Sequence, residues 1–174
     1  MSEHNTKNEL VKKQYEDALL HGKHRDPKTV QAVWRSINQF EDFTDHADFR
    51  SFGAEQAKSF KAWLEKQSNP KGELLSLSTV RSTLANLREF FEWLAIHPHY
   101  IRRMDGRAVQ YLRLSDNANR AARASREKAP PTLEELALAL GGMPDGTEVE
   151  RRDRAVFAFM IITGVRDASL VSLK

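Results

Sequence analysis

One arginine stands out by position. Arg166 comes two residues after Thr163-Gly164, the pair that closes a nearly unbroken apolar run from Ala155 to Ile162. It opens a second short amphipathic segment. The first backbone N–H groups of a helix have no partner inside it, and beside a guanidinium they make a place to hold a phosphate. The plainer reading is a helix-start arginine paired with Asp167 or another neighbour.

The other reactive side chains form no converging set. The chain has no cysteine, which excludes a disulfide frame, a thiolate nucleophile and a cysteine zinc site. There is no glycine-rich phosphate loop and no nucleophile elbow. His21/His24 and His97/His99 are close pairs at expected helix ends, where imidazoles serve the helix dipole. No carboxylate cluster accompanies either pair, so no metal is expected. Glu134-Glu135 reads as part of a helix cap. Tyr15 and Tyr111 sit on apolar stripes and read as core, while Tyr100 is open between core and surface.

What remains is electrostatic. The 174 residues carry a net charge of +3, yet residues 102–128 hold eight basic and three acidic side chains. That stretch is therefore more positive than the whole chain, and the charge is local. It is either a solvated linker, as the Pro130-Pro131 pair suggests, or a segment that lies along a phosphate backbone. Further candidates for phosphate and base contacts are Lys28 and Arg35 on one helix and Ser78, Thr79, Arg81, Ser82 and Arg88 on another. In the linker they are Arg120, Arg123, Arg126 and Lys128.

These groups need a scaffold, and the periodicity supplies one. Residues 1–7 read as a loose polar start, and apolar spacing from Glu9 to Leu20 predicts a first helix. Asp26-Pro27 is a strong helix start. Val30, Val33, Trp34, Ile37 and Phe40 then form an inner face, opposite Lys28, Gln31, Arg35 and Asn38, to about Phe43. A third helix is predicted from about Gly53 to Gln67. Ser68 to Gly72 breaks the chain. A fourth helix starts near Ser76 or Ser78, with Val80, Leu84, Leu87, Phe91 and Leu94 inward, and ends at His97-Pro98. A short fifth covers about 107–112. No segment alternates like a strand. Residues 8–113 thus read as one compact all-α domain, and 114–131 as a basic linker. Thr132 and Glu135 then open another helix as a capping box. The apolar run after Arg151 should be a buried helix, too short to span a membrane.

Two stretches resemble the tyrosine recombinase (phage integrase) family. Leu77 to Leu94, LSTVRSTLANLREFFEWL, is similar to the fourth-helix signature of its N-terminal core-binding domain. Arg151 to Leu173, RRDRAVFAFMIITGVRDASLVSL, is similar to the opening of its catalytic domain, with Thr-Gly-x-Arg between two apolar helices. The resemblance implies a SAM-like four- to five-helix core-binding domain, a basic linker, and the first helices of a catalytic domain over 132–174. It implies that Arg166 is the first catalytic arginine, acting on a DNA phosphodiester that a tyrosine attacks. Ser169 stands where the family commonly has glutamate. The remaining catalytic groups of the family would follow Lys174, so the chain reads as the N-terminal part of a longer enzyme.

The expectation is a binder of double-stranded DNA, without cofactor or metal. It is expected in the cytoplasm at the nucleoid, away from membranes. The chain alone is expected as a monomer, and its parent as a tetramer on DNA, in integration or excision. Two other readings stay open: a helical DNA-binding regulator without recombination chemistry, and a helical protein–protein adaptor.

Overall fold

The computed structural model describes residues 5–124 and 129–171 and divides the chain into two compact units, 1–127 and 128–174. The described residues are all-α: no strand occurs among them, only one isolated bridge between Ser68 and Leu74.

The first unit starts earlier than expected. Helix α1 spans Thr6–Asp17, because Asn5 caps it by accepting from the backbone N–H groups of Lys7 and Asn8. It runs on as a π-helical turn, Ala18–Gly22. Helix α2 spans Pro27–Phe43, with Asp26 as N-cap. A 3-10 turn at Phe49–Ser51 leads to α3, Ala54–Leu64, and then α4, Leu77–Ile96, capped by Ser76. The expected fifth helix is a 3-10 turn, Gly106–Tyr111.

One core joins these elements. Val11, Tyr15, Ile37, Phe40, Phe60, Leu84, Leu87 and Phe91 are all buried in it, and Phe49 and Phe52 bring the loop after α2 into it. The Phe52 and Phe91 rings stack at 3.7 Å between centroids, and Phe40 meets Phe52, Phe60 and Phe91 edge-on. Such pairs add to simple area burial. Trp34, Trp63 and Trp93 pack partly buried against this core.

Two expectations fail here. Tyr111 is at the surface, with Lys58 Nζ 4.9 Å from its ring centre. Residues 116–124, placed in the linker by composition, form helix α5 (Asp116–Ala124) in contact with α4. Its anchors are small: Ala122 is buried and Ala118 packs on the core. A stretch without large apolar residues can still dock when alanines let the backbones approach closely.

A buried polar tie holds α1 to α2. Lys12 Nζ lies 2.6 Å from Glu41 Oε2 and 2.6 Å from Glu9 Oε1. Asn8 Nδ2 donates to Glu41 Oε1 and to the Ala47 carbonyl, and Asn8 Oδ1 accepts from Phe49 N. Lys12 also sits over the Trp34 ring. A buried charge is tolerated only when paired and hydrogen-bonded, and this one is.

The second unit comprises α6, Leu133–Gly141, α7, Glu148–Thr163, and α8, Asp167–Val171. Capping boxes open both longer helices, Thr132 with Glu135 and Thr147 with Glu150. The second box starts α7 three residues before Arg151. The expected burial of Ala155 to Ile162 is not observed: no described residue of α6 or α7 is buried, and Ile162 is 83% exposed. The other two helices of this unit, of nine and five residues, supply too few facing side chains to cover the run.

Candidate nucleic-acid interface

Helices α2 and α4 form the largest helix pair of the first unit, and their packing builds a groove. Val30, Val33, Ile37 and Phe40 turn inward on α2, as do Val80, Leu84, Leu87, Phe91 and Leu94 on α4. The polar residues between these stripes are left to line a cleft of about 530 Å³. Arg35 of α2 and Thr79 and Ser82 of α4 lie on it together. Arg35 is thus brought to one surface with Thr79 and Ser82, which lie more than forty positions further along the sequence.

The cleft is braced from within. Asn86 Nδ2 donates to Ser36 Oγ at 3.0 Å and reaches the Ala32 carbonyl at 3.4 Å. Ser36 Oγ in turn donates to Ala32 O. On α4, Ser76 Oγ accepts from Thr79 N, which fixes the helix start and so the phase of Thr79 and Ser82. Ser82 Oγ donates to the Ser78 carbonyl at 2.6 Å, leaving its lone pairs as acceptors.

Gln39, Asn86 and Asp42 also line the cleft and were not singled out from the sequence. A signal was present: Arg35, Gln39 and Asp42 fall at i, i+4 and i+7, one face of α2. The charge along that helix is graded, from Lys28 and Arg35 to the carboxylate of Asp42.

The remaining candidates lie elsewhere. Lys28 is exposed in the first turn of α2, where its backbone N–H donates to Asp26. Ser78 and Arg81 are half-buried on α4, outside the cleft. Arg88 Nε is bound to Glu92 Oε1 at 2.8 Å, so its charge is already matched in part. Arg120 and Arg123 are exposed on α5, three residues apart and so on neighbouring positions of one helix face. Arg126 and Lys128 lie outside the described residues. No group of three or more metal-ligating side chains occurs among the described residues. No described helix is long and apolar enough to cross a membrane.

Arg166 belongs to the second unit and is described by itself. Gly164 adopts φ +63°, a left-handed conformation that ends α7 and that glycine takes without strain. The chain then restarts as α8, with the Arg166 carbonyl accepting from Ser169 N and Leu170 N. Arg166 is therefore the residue that precedes the first turn of α8, and its side chain is exposed. The Asp167 side chain, its alternative partner, lies outside the described residues.

Comparison with known proteins adds one finding. No curated protein and no solved structure matches the chain. A family model described as the phage integrase N-terminal SAM-like domain matches residues 12–98, from the middle of α1 to the end of α4. That match covers half of the chain and contains both helices of the cleft, and on it the chain belongs to the phage integrase (tyrosine recombinase) family, through its N-terminal SAM-like domain.

Proposed function

We propose that the first unit binds double-stranded DNA through the α2–α4 cleft, and that the chain serves a site-specific recombinase acting in integration or excision. The observation that carries this reading is the convergence of Arg35, Gln39, Thr79, Ser82 and Asn86 on one braced surface. These are side chains that contact phosphates and base edges, held on rigid helices. Arg35 and Lys28 meet the phosphate backbone, and the shorter polar groups face the major groove. Arg120, Arg123, Arg126 and Lys128 add contacts without sequence preference. The parent acts as a tetramer on two sites.

Arg166 is the phosphate-binding group of the second unit. In the family's reaction a tyrosine attacks a DNA phosphodiester, and negative charge grows on the non-bridging oxygens. A guanidinium holds two such oxygens at once and stabilises that charge more than the ground state. The phosphotyrosine link conserves the energy of the broken bond, so rejoining needs no nucleotide cofactor. Ser169, where the family commonly carries glutamate, cannot supply a carboxylate to the same turn.

A titration of duplex DNA across salt tests the binding step. Affinity falls as salt rises, because phosphate contacts release counterions. Arg35→Ala weakens binding and lowers the salt slope by about one. Binding that ignores salt would instead favour a protein–protein adaptor. In the intact enzyme, Arg166→Ala abolishes strand cleavage and leaves site binding in place; retained cleavage would remove Arg166 from the reaction.

A further inference from the structure

A second recess of the first unit has a different chemistry. A pocket of about 270 Å³ lies where α1, the Phe49–Ser51 turn and the segment after α4 meet. Lys7, Arg50, His97 and His99 bring basic groups to it, exposed Leu10 gives it apolar surface beside the buried Tyr100, and no carboxylate lines it. The α2–α4 cleft, by contrast, is lined mainly by polar residues and includes Asp42.

The basic groups have few partners of their own. Arg50 Nε is buried and has no hydrogen-bond partner. Its guanidinium lies 5.6 Å from the Tyr100 ring centre, held by packing. One acid approaches it, Asp48, at 3.9 Å, beyond hydrogen-bond distance. His97 Nδ1 accepts from His99 N at 3.4 Å, which puts the ring proton of the neutral imidazole on Nε2. Burial, and then the neighbouring His99, hold the His97 pKa below its ordinary value. Leu10 is 61% exposed at the pocket mouth.

Cations alone would suit a phosphate. A hydrated phosphodiester gains nothing from an exposed leucine, whereas a peptide carrying an apolar side chain next to a carboxylate satisfies both parts. We propose that this pocket docks an acidic peptide segment of a protein partner. One apolar side chain packs on Leu10, and an adjacent carboxylate pairs with Lys7 and the Arg50 guanidinium. This surface is distinct from the DNA-binding cleft and does not depend on it.

The test is fluorescence anisotropy on the full chain, with a labelled short peptide alternating leucine and glutamate. The same peptide with glutamine for glutamate is the control. The acidic peptide should bind about tenfold more tightly than the amide, the worth of one charge-assisted hydrogen bond. Lys7→Glu should remove that preference, and Leu10→Asp should abolish binding of both peptides. Arg50→Gln also disturbs the packing on Tyr100, so exposed Lys7 is the cleaner position; tryptophan emission checks that each variant is folded. Equal affinity for the two peptides, or no affinity for either, overturns the proposal. So does displacement of the peptide by duplex DNA, which would assign the pocket to the phosphate backbone.

Discussion

Lys12 shows how much one residue can hide. In sequence nothing sets it apart from the other lysines, yet it is only 4% exposed and joins Glu9, Glu41 and Asn38. Replacing it by methionine leaves the Glu41 carboxylate buried without its cation. Lys12→Met should cost about 3 kcal/mol of stability in urea denaturation. The double variant Lys12→Met/Glu41→Leu should recover most of that loss, because removing both charges also removes the desolvation cost. Failure to recover would show that the pair's hydrogen bonds, not its charge balance, matter.

Glu89 makes a pH-dependent counterpart at the surface. Its carboxylate lies 2.7 Å from Lys23 Nζ and 3.6 Å from Arg25, tying the end of the π-helical turn to α4. The Lys23 hydrogen bond, opposed by partial burial, holds its pKa below the ordinary 4.5. A depressed carboxylate contributes stability above its unfolded pKa and loses it as pH falls through the folded one. Glu89→Gln should therefore lower Tm at pH 7, and the gap from the parent should close on acidification below 4.5. The effect is small, since the pair is solvent-accessible. Tyr15 lies nearby in the core, its phenol pushed well above the usual range by burial first and by Glu89 second.

At the scale of elements, legibility followed side-chain size. Helices α2 and α4 were readable because large apolar residues recur at helical spacing and caps mark their starts, Asp26-Pro27 and Ser76. The α2–α4 cleft was half readable: Arg35, Thr79 and Ser82 stand on outward faces, but nothing local says that two helices will bring them together. Helix α5 was not readable as packed structure, because its contact with the core rests on Ala118 and Ala122. Glutamate at Ala122 should undock it, seen as lost amide protection over 116–124 with α4 still protected. Leucine at the same site should overpack the contact and cost about 1–3 kcal/mol. The apolar run in α7 misled in the other direction, since hydrophobicity identifies a surface that prefers contact but not the element that provides it.

The whole molecule divides its stability unevenly. The first unit has a large aromatic core, while no described side chain of α6 or α7 is buried. Elements with few buried contacts open at low free energy. Hydrogen exchange should therefore be fast throughout α6 and α7 and slow in α4, apart from its frayed ends. Comparable protection in both would mean that the second unit draws stability from contacts outside its own helices. The capping boxes at Thr132 and Thr147 keep those helices well started, so Thr147→Ala should shorten α7 at a cost of about 1 kcal/mol.

The placement of the tryptophans gives this chain a built-in optical label. Trp34, Trp63 and Trp93 are its three indoles, and Tyr15, Tyr100 and Tyr111 its three phenols. All six fall in the first unit, which leaves the second, whose aromatic side chains are Phe157 and Phe159, without tryptophan or tyrosine emission. An emission trace during denaturation follows the aromatic core alone, whereas far-ultraviolet dichroism sums both units. Where the two curves part, the difference is the signal of α6 to α8, obtained without attaching a dye. Trp34 adds a local gauge, because the Lys12 ammonium over its ring perturbs its emission for as long as the buried tie between α1 and α2 holds.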